Sequence, residues 1–322
     1  AYRLWANPSY DIQNPEFGDS WNEDTGELSF RQTDVELPGN GDLSVAVTRS
    51  RSRGKIALMG SGAFADWEIE LPRIEYTWRT GAEAYWEPTR CSVPKPADRY
   101  NTGASIGTLA YLPYGFYGGM RVQGQSGTSE MILEPFSAFA WPSELGTKPH
   151  LTTRTFWKID CLSPSANSGN REGFVATDPQ GVTYQFDREV LRRVVKTTLE
   201  NVQVTLYPSV VTDRHGNTVT YQYGQYGPTR IEASDGRLIT ITYNGDGNIS
   251  RVSANGRHWD YSYQTINSNA LATATTRDLL SSVETPEGTF WRYSNMDLME
   301  WGMTLAQEKL EFRWIQHAQN GA

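Results

Sequence analysis

The 322 residues carry a net charge of −8, with 38% hydrophobic and 12% aromatic side chains, and a pI near 5.2. This acidic balance repels nucleic acid and anionic membrane surfaces, and no run of about 18 apolar residues offers a membrane-spanning helix. With 29 Gly, 16 Pro, 17 Tyr, 11 Trp and 11 Phe, the composition suits short strands and many turns and leaves little helix.

Residues 1 to 25 show no sustained period and are expected to form an extended arm or irregular lead-in. The opening AYRLWANPSY has neither a basic region nor an apolar stretch of signal-peptide type, so Ala1 is either what signal cleavage leaves or an arbitrary start. From Leu43 the pattern sharpens. Leu43, Val45 and Val47 alternate with polar neighbours, as do Trp67, Ile69 and Leu71, and then Ile74, Tyr76 and Trp78. Three half-buried antiparallel strands follow from that period of two. Arg49, Arg51, Arg53 and Lys55 fall after the first of them and are read as a solvated loop between strands, rather than as an anion site.

Residues 80 to 150 are the least regular part. A structureless stretch this long is improbable in a compact domain, so short strands, a packed plug or a functional surface are expected there. Tyr111, Tyr114, Phe116, Tyr117 and Trp141 offer rings for stacking on sugars; the same rings would serve as the core of a cap closing one end of a repeat stack. The division expected is a β-rich lead-in or cap over 1–154 and a repeat array over 155–322.

The array opens with Phe156, Trp157 and Ile159. Residues 187–199 read two ways: Asp187 as a helix cap with Val190, Leu191, Val194 and Val195 on one face, or an inserted strand continued by Val202, Val204 and Leu206. The clearest periodicity follows. Gly216, Gly236 and Gly256 stand 20 residues apart, and three, five and seven residues after them come Val219, Tyr221, Tyr223, then Ile239, Ile241, Tyr243, then Trp259, Tyr261, Tyr263. Each copy is a turn followed by a strand with one apolar face. Gly181 with Tyr184 and Phe186, and Gly288 with Trp291 and Tyr293, extend the series to about five units. The tail over 296–310 is ambiguous between helix and strand, and Leu310, Phe312 and Trp314 alternate beyond it. An array ending on those residues is expected to be cut from something longer.

The segment Tyr243-Asn-Gly-Asp-Gly-Asn-Ile-Ser-Arg-Val252 resembles the tyrosine-aspartate repeat of the bacterial RHS family, with Tyr243, Asn244, Gly247, Asn248, Ile249 and Val252 at its six defining positions. Thr212–Asn217 with Tyr221 and Tyr223 resembles a variant of that repeat. Gly26–Phe30, Leu37–Asn40 and Val45–Ser50 resemble the lead-in that precedes such repeats. The resemblance implies a long antiparallel β-sheet strip coiling into a hollow shell. It also implies a secreted or cell-surface bacterial setting, with further repeats and a C-terminal toxin domain, or neighbouring subunits, as partners. Five units are too few to close such a shell, and the family's self-cleavage region is not visible. Asp178-Pro179-Gln180-Gly181 matches a D-P-x-G signature of that region, but it stands where a repeat turn belongs and is read as one.

Local signatures of a nucleophile with its base, paired carboxylates or a metal cluster are not found. His150, His215, His258 and His317 are scattered. Asn244, Asp246 and Asn248 space oxygens like a calcium loop, but Ile249 stands at the glycine position and Asn255 where a bidentate Glu belongs, so a repeat turn is expected. Cys91 and Cys161 have no Cys or His at zinc-like spacing. Sequence leaves open whether they are free core thiols or a disulfide, which would close a loop worth about 4 kcal/mol in the chain-entropy model. No enzyme activity and no cofactor are expected. The expected role is a structural wall that scaffolds or encloses a toxin domain, with glycan binding through the aromatic region as the alternative and polysaccharide hydrolysis, by carboxylates that converge only in the fold, as the third.

Overall fold

A computed structural model describes residues 19–22, 27–39, 41, 43–52, 62–79, 87–94, 118–135, 141, 143–194, 201–268, 275–297 and 311–318. They form two antiparallel sheets. The smaller contains β1 (Asp19–Asn22), β2 (Glu27–Leu37), β3 (Val45–Ser52) and β4 (Glu68–Ile69), in that order. The larger has 16 strands. Its path begins with β8 (Leu151–Thr152), β9 (Lys158–Ser165), β10 (Arg171–Thr177), β11 (Thr183–Val194), β12 (Asn201–Thr212) and β13 (Thr218–Tyr223). It continues through β14 (Pro228–Ala233), β15 (Leu238–Tyr243), β16 (Ile249–Ala254), β17 (Arg257–Ser268), β18 (Thr275–Glu284), β19 (Phe290–Asp297) and β20 (Glu311–Ala318), each paired with its predecessor. β5 (Arg73–Arg79), β6 (Arg121–Gln123) and β7 (Ser129–Met131) branch from β12. The fold is all-β, as composition and periodicity predict.

One turn recurs along this strip. At Asp178–Gly181, Asp213–Gly216, Ala233–Gly236, Asn244–Gly247 and Thr285–Gly288 the glycine N–H donates to the first residue's carbonyl, at 2.9 to 3.2 Å. The first residue's N–H in turn donates to the carbonyl of the residue after the glycine. These glycines have φ between +74° and +90°, so each connection is a four-residue turn closed by a left-handed residue. Asp178, Asp213 and Asn244 stiffen theirs by accepting two backbone N–H groups on one side-chain oxygen. Asp178 is thus a turn residue, and Asn244–Asn248 is the β15–β16 turn.

Beyond each turn the alternation sets the buried face. Val219, Tyr221, Ile239, Ile241, Trp259 and Tyr261 are buried, and Tyr223, Tyr243 and Tyr263 pack against the same core. The stretch 187–194 is strand: β11 pairs with β12 from Thr183 opposite Thr212 to Val194 opposite Asn201, with register shifts on either side of Phe186. A helix would place Val190 and Leu191 on one apolar face; here Val190 packs on the core while Leu191 is 51% exposed. β12 is the branch point, because Asn201–Leu206 pair with β5 and Val210–Thr212 with β13. Pro208, which has no N–H to pair, sits between the two stretches.

Strands from both sides of residue 154 therefore share one sheet. Residues 80–150 supply β6 and β7, and residues 87–94 form a plug over β9 and β10. Arg90, fully buried, donates to the carbonyls of Glu172 (2.6 Å) and Ser168 (3.2 Å), to the Tyr76 hydroxyl (3.3 Å) and to Glu189. The Glu172 carboxylate accepts the N–H groups of Cys91 and Ser92 at 2.9 and 2.8 Å. Cys91 and Cys161 are disulfide-bonded, with Cα atoms 5.5 Å apart and 70 residues between them. Of the two alternatives left open by the sequence the disulfide is the one found, which excludes the two sulfurs as thiolate ligands. The tail residues 298–310 lie outside the described residues; Phe312 and Trp314 belong to β20, opposite Met296 and Ser294.

A Cβ built on Gly216 would meet nothing within 4 Å, and its φ is +87°. Substitution cost there is backbone strain alone. Gly216→Ala is expected to lower the unfolding free energy by about 1–2 kcal/mol, and Gly216→Asn by less, in equilibrium urea denaturation. An unshifted midpoint for Gly216→Ala would mean that this turn does not require a left-handed residue.

Candidate functional site

The repeat-motif residues are distributed by the turn and strand just described. Gly216, Gly236 and Gly247 close four-residue turns, while Asn255 (φ 52°) and Gly256 (φ 74°) form the two-residue turn between β16 and β17. Tyr223, Tyr243 and Tyr263 each stand at a register shift with the following strand. Their hydroxyls donate back to the preceding strand, to the carbonyls of Pro208 (2.7 Å), Pro228 (2.9 Å) and Ile249 (2.5 Å). The bulge turns the ring, and the hydroxyl satisfies a carbonyl that the ladder leaves open. Asn248 is buried, and its amide donates to Asp278 at 3.0 Å. Burial pushes the hydroxyls of Tyr221, Tyr223, Tyr261 and Tyr263 above their ordinary pKa, with the Asp34 carboxylate adding to the effect at Tyr261.

A cluster that the sequence did not suggest joins the two sheets. Arg49 is 0% exposed, on β3 rather than in a loop, and its Nε donates to Asp34 at 2.7 Å. Its Nη1 donates to the Tyr293 hydroxyl at 2.5 Å, and the Tyr261 hydroxyl donates to the same Asp34 oxygen at 2.8 Å. The guanidinium lies 5.0 Å from the Trp67 ring centroid and 5.3 Å from that of Tyr293. Burial alone would lower the Arg49 pKa, but Asp34 and Tyr293 outweigh it and hold it above its ordinary value.

The reading of Arg49 and Arg51 as solvated is corrected by these contacts. Arg51 is also buried, and it is ion-paired with Asp66 at 3.2 Å; Arg53 and Lys55 lie outside the described residues. The signal was present, since Val45, Val47, Arg49 and Arg51 share one face of a period-two strand. The position of Asp34 carried no such signal. β2 shifts register between Thr33 and Val35 opposite Thr48 and Val47, and this bulge turns the Asp34 carboxylate inward to 2% exposure.

Tyr111, Tyr114, Phe116 and Tyr117 lie outside the described residues. Trp141 is half-buried and packs edge-on against Phe156, ring centroids 5.9 Å apart. Elsewhere an open cleft of about 340 Å³ separates Gln32–Leu37 of β2 from the turns at Ala254–Arg257 and Thr285–Glu287, with Trp259 and Trp291 on its strip-side wall. His150 bonds the Cys91 carbonyl (3.0 Å), His215 the Arg214 side chain (3.0 Å) and His258 the Ser253 hydroxyl (2.9 Å), three separate settings.

Arg49→Met leaves the Asp34 carboxylate buried without its cation and is expected to cost about 3–5 kcal/mol. In an Asp34→Leu/Arg49→Met cycle the double loss should fall short of the two single losses added together; strict additivity would mean the ion pair contributes no coupling. The raised tyrosines make a second expectation. Unfolded tyrosine ionises near pH 10, so stability is fully present below that pH and falls as pH rises through it, because the unfolded chain releases protons first. Part of the rise in absorbance at 295 nm should accordingly appear only together with loss of circular dichroism, and a rise that is complete before unfolding would contradict burial of these hydroxyls.

No family model and no curated protein matches the chain. Among solved structures it is similar to TcdB2-TccC3, at 12% identity and a TM-score of 0.34, over 92% of this chain and 14% of that one. It is also similar to the N-terminal domain of the effector protein SpvB from Salmonella typhimurium strain LT2, at 10% identity and a TM-score of 0.32, over 89% of this chain and 100% of that one.

Proposed function

We propose that this chain is a non-catalytic wall: a segment of β-strip, in a secreted or cell-surface bacterial protein, that scaffolds or encloses a toxin domain. The observation that carries the reading is the strip itself. From β8 to β20 the strands pair in chain order, joined repeatedly by one turn geometry. Such a strip grows by adding hairpins without changing its local rules, and its product is surface rather than a pocket. The resemblance of Tyr243–Val252 to the tyrosine-aspartate repeat points the same way. The Cys91–Cys161 disulfide suits an oxidising compartment, and among the described residues no helix is long and apolar enough to cross a membrane. Partners under this reading are further repeats and a toxin domain of the same or a longer polypeptide, or neighbouring subunits, with nucleic acid disfavoured by the charge of −8.

The test uses the complete natural polypeptide that carries this chain. Electron microscopy combined with limited proteolysis is expected to show a lumen bounded by β-sheet and a segment inside it that resists protease until the wall is unfolded. A particle without a lumen, or turnover of a polysaccharide by this chain, would overturn the proposal.

A further inference from the structure

The first strands of the larger sheet close on themselves. β12 pairs with both β11 and β5, and β6 and β7 follow β5 in turn. Two residues beyond β7, Leu133 exchanges both backbone hydrogen bonds with Thr152 of β8, at 2.7 and 2.9 Å. Since β8 leads through β9 and β10 back to β11, the strands β5 to β12 form a ring. Register sets Ile74 opposite Val122 and Leu206, and Ile159 opposite Leu151. All five are 0% exposed, so apolar side chains fill this small barrel.

The plug at residues 87–94 lies across one mouth of the barrel, where Arg90 and Cys91 reach Tyr76 of β5, Cys161 of β9, Glu172 of β10 and Glu189 of β11. Of residues 88–94 only Arg90, Cys91 and Pro94 are buried, and Val93 is 51% exposed. Little apolar burial therefore holds the plug. Its hydrogen bonds run from Arg90 into the mouth, from the Cys91 and Ser92 N–H groups to Glu172, and between the His150 ring and the Cys91 carbonyl. The bonds of Ser92 to Glu172 are exposed, so water competes for them. Departure of the plug strands no charge. Arg90 passes into water, and Glu189 keeps Arg171, at 2.5 Å. The Arg90–Glu189 pair adds little net stability, because desolvation offsets the attraction. The disulfide is then the tie that water cannot replace.

That bond is open to attack from one side. Cys91 is 0% exposed, whereas Cys161 is exposed. Thiol–disulfide exchange needs access to a sulfur, and the access is at Cys161. An incoming thiolate bonds Cys161 Sγ, the S–S bond breaks, and Cys91 leaves as a thiolate that takes a proton. The second thiol of the same reductant displaces Cys161, which takes a proton in turn, and the reductant departs as its own disulfide. Two electrons pass to the chain, and two thiols result.

We propose that Cys91–Cys161 is a redox-sensitive latch: a dithiol reductant opens it and frees the plug from the barrel mouth, while the repeats from β13 onward stay folded. No cysteine lies in those repeats, and the Arg49 cluster that ties them to the smaller sheet is untouched by reduction. The inference is independent of the wall reading.

Hydrogen exchange read by mass spectrometry in native buffer, with and without millimolar dithiothreitol, tests it, and alkylation of both cysteines reports that the bond has opened. The Cys91 and Ser92 amides donate to Glu172 in the latched state, and after reduction they are expected to exchange about tenfold faster or more. Exchange over β13–β17 should not change. Cys91→Ser/Cys161→Ser should reproduce the reduced pattern, and reoxidation of the natural chain should restore the original one. A bond that resists dithiothreitol until denaturant is added would overturn the proposal. So would undiminished protection of the Cys91 and Ser92 amides after reduction. Loss of protection spreading equally into β13–β17 would overturn it too, because that is unfolding of the whole chain rather than release of a plug.

Discussion

The contact between Arg49 and Asp34 sets how the two sheets meet. Each sheet has an apolar inner face, and apolar burial by itself is non-directional, so many offsets of one sheet on the other would bury similar area. A buried cation removes that freedom. Arg49 must reach Asp34 on its own sheet and Tyr293 on the strip, while Tyr261 reaches the same carboxylate from β17. Away from this arrangement a charge would be left without a partner in the interior. Directional contacts nearby agree with the same offset: the Ile249 N–H donates to the Ala63 carbonyl at 2.8 Å, the Leu280 N–H donates to Asp66 at 2.8 Å, and Arg237 donates to the carbonyls of Leu37 and Leu43 at 3.1 and 3.0 Å. The Arg237 contact needs Gly39, where a Cβ would fall 2.3 Å from the guanidinium carbon. The arrangement has a cost, because Arg49 Nη2 and Trp67 Nε1 are buried without a hydrogen-bond partner.

The strip depends on nearest neighbours. Its cohesion comes from adjacent ladders, from the shared turn and from tyrosine hydroxyls that tie each bulged strand to the one before it. Stability in such an array is approximately a sum of unit and interface contributions, so a lost turn should weaken its own hairpin first. The inter-sheet cluster behaves differently. It involves β2, β3, β17 and β19 at once, and the segment Gly62–Trp67 adds Phe64 against Tyr261 and Trp67 against Tyr293, at ring centroid distances of 4.8 and 5.3 Å. Packing there couples distant repeats through the smaller sheet.

At β12 the strip departs from a simple series of neighbours. One edge of that strand serves two partners, β5 and β13, and the change occurs around a proline. The plug at residues 87–94 is fixed near this branch by Arg90, by Glu172 and by the disulfide. Of these ties only the disulfide persists on unfolding, where closing a loop of 70 residues lowers the entropy of the unfolded chain; the Arg90 and Glu172 contacts hold the plug in the folded state alone.

By itself the sequence determined the strands of the repeat array, their buried faces and their turns, because these follow from interactions within about 20 residues. Period-two alternation chooses a face, and glycine supplies the left-handed residue. It also held the burial of Arg49 and Arg51, since they continue the face begun by Val45 and Val47; charge was a poorer guide than period. Tertiary structure alone decided the partner of Arg49, the bulge that turns Asp34 inward, the Cys91–Cys161 bond, the pairing of β12 with β5 and the cleft between β2 and Trp291. Each of these joins groups far apart in the chain, and local pattern carries no information about which distant surface will be brought into contact. The stretch 187–194 lies between the two cases. Its side chains fit a helical stripe or a strand, and β12, which pairs with it from Arg188 to Val194, supplies the backbone partners that make it part of β11.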